Sequence, residues 1–282
     1  MKFSTIWIVL SIASTKAFSQ SLEGDSLFHK AGELQKNTKY DSAIILFQNA
    51  SKIYLENNQI EKSLEARLLV ANTYKKKGLF ESALVLCNDL LEDAKSQGNS
   101  HFSFRGQVYD ELGRIYGYME DYEKALSCSV KADSILSSLN GENHKKSGLL
   151  KIDIAMAYHN LNQYVKALDF IERAEEFYLN HTDSSQVSSN LYLNKSQILS
   201  DLGFMLKAEE AIKKGMDIRI KRFGLEHPEN AGVYNRAAIF FHKSKNYNQA
   251  LIYYERALAI FKSTLPNPHI WRAYINFYML LG

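Results

Sequence analysis

One twelve-residue phrase is written at least four times along the chain, and this repetition limits the possible folds more than any other feature. The phrase reads DYEKALSCSVKA over residues 121–132, and close copies read KYDSAIILFQNA, QYVKALDFIERA and NYNQALIYYERA. A catalytic motif is usually written once, whereas a phrase that recurs roughly every 20–50 residues is typical of structural units that stack on one another. We therefore predict an array of similar units.

The alanine at the fifth position of the phrase marks the register of the repeat. Small residues also recur twelve positions before each marker and, in five of six units, seven positions after it. Small side chains at the marker and twelve positions before it let two antiparallel helices cross closely, so each unit is predicted to be a hairpin of a first and a second helix. The small residue after the marker shares its face and can receive the next hairpin. The markers, 40 to 42 residues apart, are Ala43, Ala83, Ala125, Ala167, Ala208 and Ala250.

This small–aromatic–small spacing resembles the tetratricopeptide repeat family over about residues 24–282. The stretch FGLEHPENAGVYNRAAIFFHKSKNYNQALIYYERALAIFKSTLPNPH resembles the long repeats of kinesin-light-chain-type proteins and of the arrays that precede bacterial caspase-like CHAT domains. The resemblance implies an all-α, right-handed superhelical solenoid of antiparallel helix hairpins over residues 20–282. The sequence departs from the family in its period of 40–42 instead of 34 residues. It also departs where the family often has tryptophan, at Leu27, Arg67, Tyr109, Lys151, Tyr192 and Tyr234.

The first twenty residues, MKFSTIWIVLSIASTKAFSQ, have the composition of a secretory signal peptide. A basic residue precedes an apolar stretch over residues 3–13, and Ala17 with Ser19 forms the small-x-small pattern that signal peptidase accepts. We expect residues 1–19 to be removed and the protein to be periplasmic or secreted by a bacterium. A membrane anchor is the alternative, but the apolar stretch falls short of the roughly 20 residues that span a bilayer.

Charge and cysteine content narrow the classes of partner and of covalent structure. Loss of residues 1–19 removes two lysines, which leaves 32 of the 34 basic residues against 31 acidic ones. This near-neutral balance gives no electrostatic reason to expect nucleic acid or an acidic membrane surface as partner, and no later stretch reads as a membrane span. Cys87 and Cys128 lie in apolar helical segments one repeat apart, so we predict buried free thiols; export would permit a disulfide between them.

The sequence contains no recognisable catalytic or cofactor motif. It has no GxxxxGK[ST], GxGxxG, HExxH, GxSxG or CxxC pattern, so we predict a protein that is not an enzyme and that needs no cofactor. Four histidines recur in phase with the repeat, but they lack the paired spacing of metal ligands, and the pairs His227–Pro228 and Asn267–Pro268 are better interpreted as helix entry. The four histidines are His101, His144, His227 and His269.

Binding is the function that stacked hairpins favour, because the first helices line the concave side of a curved array. The positions that face this groove are counted from the small residue of each first helix. Amide side chains there can bind an extended peptide backbone without fixing its sequence, and solvated surface is the plainer alternative. The lysine-rich clamp of chaperone-binding members is not reproduced, which argues against a C-terminal carboxylate ligand. The groove candidates are Asn72, Lys75, Asp110, Arg114, Tyr118, His159, Gln197, Asn235 and His242.

The end of the sequence leaves two functions open. Residues 270–282, IWRAYINFYMLLG, spell the first helix of a seventh unit without the polar capping helix that repeat arrays need. A partner that covers this helix fits an exported scaffold that binds a peptide or a protein in its groove. A missing C-terminal part fits the alternative, the N-terminal sensing array of a larger CHAT-type protease, membrane-spanning kinase or transcription regulator.

Overall fold

The computed structural model describes residues 22–96, 102–140, 146–181 and 189–263. Over these residues the chain forms α-helices, one short 3₁₀-helix and no strand, which confirms the predicted all-α fold. The chain divides into two compact units, residues 1–139 and residues 140–282, and each is described separately.

Unit 1 contains three helix hairpins. Its helices are α1 (22–36), α2 (Tyr40–Glu56), α3 (Ile60–Lys77), α4 (Phe80–Ser96), α5 (Phe102–Tyr118) and α6 (Tyr122–Asn140). Over residues 146–181 and 189–263, unit 2 forms three more, and the 3₁₀-helix Pro228–Asn230 precedes the last of them. Its helices are α7 (Ser147–Asn160), α8 (Tyr164–His181), α9 (Ser189–Asp201), α10 (Met205–Phe223), α11 (Ala231–Lys243) and α12 (Tyr247–Ser263).

The turn inside each hairpin is built in the same way. A residue with positive φ stands two positions before the second helix, and the following N–H donates to a carbonyl five residues back, as Leu79 does to Tyr74 at 2.9 Å. Gly78 and Gly203 adopt this left-handed conformation without a steric cost. The other hairpins place a residue with a side chain there: Thr38, Glu120, Asn162 and Lys245. The same left-handed turn therefore forms at equivalent positions of the repeat whether or not the residue is glycine.

The marker alanines lie in the first turn of the second helices, where the two helices of a hairpin cross. Five of them are fully buried and Ala125 is 5% exposed. The small residues of the first helices lie opposite: a Cβ added to Gly113 would meet the Ser129 hydroxyl at 2.6 Å, and Ser196 Oγ donates to the Ala208 carbonyl at 2.8 Å. These contacts leave no room for a larger side chain at either position.

Apolar and aromatic side chains fill the space between successive helices in each unit. In unit 1, Phe47 and Tyr54 are almost fully buried, and the Tyr54 hydroxyl donates to Asp25 at 2.7 Å. Cys87 and Cys128 are buried free thiols in one apolar cluster, as predicted. Burial raises the pKa of both thiols, so they behave as apolar side chains in the core.

Several predicted segments lie outside the described residues. They are the signal peptide 1–19, the seventh first helix at 270–282, and His101, His144 and His269. Within the described ranges, each helix is too short or too polar to cross a lipid bilayer.

Candidate functional site

The first helices of each unit carry a row of polar side chains that join one helix to the next. We call these rows the unit-1 ladder and the unit-2 ladder. The unit-1 ladder lies on α1, α3 and α5 and comprises Gln35, Asn72, Thr73, Lys75, Lys76 and Glu111. The unit-2 ladder lies on α7, α9 and α11 and comprises His159, Asn194, Gln197, Asp201, Arg236 and Lys243. Four of the nine groove candidates lie in these rows: Asn72, Lys75, His159 and Gln197.

The unit-1 ladder is centred on Asn72. Its amide nitrogen donates to both carboxylate oxygens of Glu111, at 3.1 and 3.2 Å, and its amide oxygen accepts from Gln35 at 3.3 Å. The same Gln35 accepts from Lys76 at 2.9 Å. Burial lowers the pKa of Lys76, and the neighbouring charge of Lys75 lowers it further. Asn72 therefore holds three first helices together and has little capacity left for a ligand.

Lys75 and Glu111 form a buried ion pair at the base of this ladder. Lys75 Nζ lies 2.8 Å from Glu111 Oε1, and the side chains are only 7% and 8% exposed. A buried charge is tolerated when it is paired and hydrogen-bonded, and Glu111 meets this requirement through Lys75 and Asn72. Lys75 thus binds within the protein, and a ligand cannot reach its ammonium group.

Helix α5 places the remaining unit-1 candidates in two different environments. Asp110 is buried, and its carboxylate lies 3.3 Å from the guanidinium of Arg114 one turn later. Tyr118 ends the helix with 67% of its surface exposed, and its ring stacks on Phe80 with centroids 6.0 Å apart. Of these three residues, Tyr118 offers the largest apolar surface to a partner.

In the unit-2 ladder, Asp201 joins three first helices. Its Oδ2 lies 2.7 Å from His159 Nε2 on α7, and its Oδ1 accepts from Lys243 on α11. His159 is only 8% exposed. Burial raises the pKa of Asp201, but the hydrogen bonds from Lys243 and His159 outweigh it and hold the pKa below its ordinary value of 3.8. The Asp201 carboxylate is thus a structural link, and His159 faces it instead of a ligand.

Asp201→Asn should make the free energy of unfolding depend less on pH in the acid range. A carboxylate whose pKa is lowered by folding stabilises the native state above the unfolded pKa, near 3.8, and this contribution is lost as pH falls through the native value. We expect the variant to lower the urea midpoint at pH 7 and to change it less at pH 3. Asp169→Asn, at an exposed position on α8, is the control. Equal losses for Asp201→Asn at both pH values would contradict this assignment.

Arg236 is the most unusual member of the unit-2 ladder. Its Nη2 donates to Asn194 Oδ1 at 2.8 Å and to Gln197 Oε1 at 3.3 Å, so both acceptors are neutral amides. Burial lowers the pKa of Arg236 to about 10, which still leaves it a cation at neutral pH. The guanidinium lines a cleft of about 230 Å³ between α9, α10 and α11, which we call the Arg236 cleft.

The last two candidates lie on α11 near this cleft. Asn235 is partly buried and has interaction partners within the protein. His242 is exposed, and its ring lies 5.6 Å from that of Tyr247, the first residue of α12. Tyr118, Gln197 and His242 are therefore the predicted candidates that remain open to solvent.

Sequence reasoning missed Gln35, Glu111, Asn194, Asp201, Arg236 and Lys243. A usable signal was present, because ladder partners stand about one repeat apart. Asp201 follows His159 by 42 residues, Lys243 follows Asp201 by 42, and Arg236 follows Asn194 by 42. In unit 1 the same spacing is 36 to 41 residues. A search for complementary polar residues one period apart would have found most of these pairs.

Comparison of the sequence with protein families identifies the repeat. Residues 187–263 and residues 106–135 each match a family described as tetratricopeptide repeat. A 43 kDa receptor-associated protein of the synapse from Gallus gallus is 26% identical over 155 residues, or 55% of this chain. The match spans 36% of that protein, about a third of its length. The predicted tetratricopeptide repeat is thus confirmed over these two stretches, and the long-period type stays a prediction.

Solved structures share the fold at low sequence identity. The apo form of RapI superposes with a TM-score of 0.68 over 89% of either chain at 16% identity. Aspartyl phosphate phosphatase F from Bacillus subtilis gives 0.63 over 96% of this chain and 73% of its own, at 18% identity. Kinesin-light-chain repeats from Podosopora anserina give 0.57 over 72% and 97%, at 17% identity. These likenesses extend to the fold alone, and the link to CHAT-domain proteins stays a prediction.

Proposed function

Because the chain is built from tetratricopeptide repeats, we propose that it is a non-enzymatic scaffold that binds a peptide or a protein through its first helices. Domains of this type bind proteins or peptides, and this chain presents suitable groups on the same helices. The observation that carries the proposal is the Arg236 cleft, which combines apolar walls with charged and hydroxyl side chains. Concave sites with this mixture are where ligands are most often held.

The two sides of a hairpin differ in what they offer. On the first helices, Tyr118 of unit 1 exposes 67% of its surface, and Ile239 of unit 2 exposes 44% in the cleft that Gln197 also lines. On the second helices, some exposed charged side chains pair with a neighbour on their own helix, as Lys213 does with Glu209 at 2.7 Å, and others pair with an adjacent helix, as Asp41 does with Lys77. Solvated pairs of this kind contribute little to binding energy. Second helices also expose apolar side chains, such as Leu206 at 86% and Val165 at 75%, so it is the Arg236 cleft that makes the first helices the favoured surface.

The test is a selection of phage-displayed dodecapeptides on the purified protein, followed by titration of selected peptides with four variants. Tyr118→Ala removes an exposed ring from unit 1 and His242→Ala removes one from unit 2, and we expect each to weaken the peptides that bind its own unit about tenfold, or about 1.4 kcal/mol. Lys124→Ala and Lys166→Ala, at exposed second-helix positions, should leave affinity within twofold. Loss of binding in the lysine variants alone would place the ligand on the second helices and contradict the proposal.

We also propose that the scaffold acts outside the cytoplasm. The apolar stretch over residues 3–13 and the small-x-small pattern at Ala17 and Ser19 support export. Expression of the full coding sequence in a Gram-negative host should yield a periplasmic product whose intact mass begins at Gln20. A soluble cytoplasmic product that retains residues 1–19 would contradict export and would leave the binding proposal standing.

A further inference from the structure

The guanidinium of Arg236 has hydrogen-bonding capacity that the described residues leave unused. An arginine carries five N–H donors, and both recorded bonds of Arg236 come from Nη2. Across the described part of the chain, Nη1 and Nε have no recorded acceptor, and no carboxylate forms an ion pair with this side chain. Arg236 is only partly buried, so the N–H groups of Nη1 and Nε can donate to water or to a ligand in the cleft.

The charged side chains around the Arg236 cleft favour a ligand with a single negative charge. Arg236 and Lys243 are its cations, and Asp201 is its single carboxylate. Lys243 already donates to Asp201, which leaves Arg236 without a carboxylate partner among the residues that the structure describes. A singly charged anion would balance the cleft, whereas a doubly charged phosphate would face Asp201 with a surplus charge.

The other side chains that line the Arg236 cleft are mostly apolar. Leu193, Ile212, Ile239 and Phe240 supply apolar surface. The Ser200 hydroxyl makes only a 3.7 Å contact with the sulfur of Met205, so it can donate to a ligand instead. The volume of about 230 Å³ lies below the roughly 300–1,000 Å³ of sites for whole small molecules. It suits one or two side chains of a peptide.

We propose that the Arg236 cleft binds a carboxylate group of a peptide, with an apolar residue beside it. This inference rests on the proposed function and names the chemistry that the binding surface recognises. The carboxylate accepts from Arg236 and from the Ser200 hydroxyl, and the adjacent apolar side chain packs on Ile239 and Leu193. The Gln197 oxygen, at 3.3 Å from Nη2, is beyond the usual 2.7–3.2 Å of such bonds and is readily displaced.

The specificity follows from the cost of an unpaired cation. Charge-assisted bonds between arginine and a carboxylate are about twice as strong as bonds between neutral groups. A peptide with glutamine instead of glutamate offers Arg236 only a neutral oxygen. Asn194 and Gln197 already supply neutral oxygens. An acidic peptide should therefore bind better than its amide counterpart, and by more at low ionic strength.

The experiment uses three synthetic pentapeptides and the purified product of the full coding sequence. The first is acetyl-Ala-Leu-Glu-Leu-Ala-amide. The second has Gln in place of Glu, and the third is the Gln peptide with a free C-terminal carboxylate. Binding is followed through the Nε–Hε NMR signal of Arg236, which is identified by its loss in Arg236→Lys. We expect the Glu peptide to shift this signal and to bind at least tenfold more tightly than the amidated Gln peptide at 20 mM salt.

Two variants complete the test. Arg236→Gln should reduce affinity for the Glu peptide to that for the Gln peptide, while Arg173→Gln, an identical change at an exposed position on α8, should not. A shift with the third peptide alone would support the carboxylate and assign it to a chain terminus. Equal binding of the Glu and amidated Gln peptides, or an unmoved Arg236 signal, would overturn the inference.

If Tyr118→Ala and His242→Ala still weaken the selected dodecapeptides in that case, the proposed function survives. The wild-type signal decides the matter even if Arg236→Gln folds poorly.

Discussion

Glu111→Ala is expected to destabilise unit 1 by about 3–5 kcal/mol, the usual cost of removing one partner of a buried ion pair. The variant leaves the Lys75 ammonium, which is 7% exposed, without its carboxylate. It also removes both acceptors of the Asn72 amide, so the α3–α5 link of the ladder is lost. The free energy of unfolding in urea, followed by circular dichroism, measures the effect.

Two controls show whether the loss comes from the buried charge. Glu123→Ala makes the same substitution at an exposed position on α6 and should cost less than about 0.5 kcal/mol. The double variant Lys75→Met with Glu111→Leu replaces the pair by apolar side chains and should recover much of the stability, because paired removal leaves no orphaned charge. If Glu111→Ala costs no more than Glu123→Ala, the buried pair does not hold these helices together.

Ala167→Leu should destabilise unit 2 by about 1–3 kcal/mol through overpacking. Ala167 is fully buried at the crossing of α7 and α8, where it packs in one apolar cluster with Ala155 and Ile171. Three extra carbon atoms at this point must push the two helix axes apart or force side chains away from their preferred rotamers.

The matched control for this crossing is one residue away. Lys166→Leu introduces the same side chain at an exposed position of α8 and should change the urea midpoint little. Ala250→Leu, at the equivalent fully buried position of α12, should repeat the loss seen with Ala167→Leu. Equal midpoints for the buried and the exposed leucine variants would show that the markers do not lie at the crossings.

The repeat architecture could be predicted because the small residues that allow two helices to cross lie within one repeat and recur in every repeat. Close crossing of two helices demands small residues at matched positions, and the demand recurs at every hairpin, so one weak pattern becomes a strong one. The free thiols followed from the same reasoning, since Cys87 and Cys128 occupy apolar positions of the second helices. The turn residues were less informative, because Glu120 and Lys245 adopt a left-handed conformation that glycine would usually take.

The candidate site was only partly predictable, and the reason lies in single positions. Lys75 and His242 occupy the same place in their first helices, four residues after the small one, yet Lys75 is 8% exposed and paired, whereas His242 is exposed. Counting along a helix specifies a direction, but it does not say whether a side chain of the neighbouring helix is long enough and oppositely charged to meet it.

The sequence by itself determined that this chain forms stacked helix hairpins and where their helices cross, because steric exclusion at small residues acts within one repeat. The tertiary structure decided which polar groups are consumed by the protein and which remain for a partner. Glu111 and Asp201 pair with lysines of neighbouring first helices. Among the described residues, Arg236 donates to neutral acceptors beside an open cleft. That outcome depends on distances between helices and on burial, and these arise only when residues from different repeats are brought together.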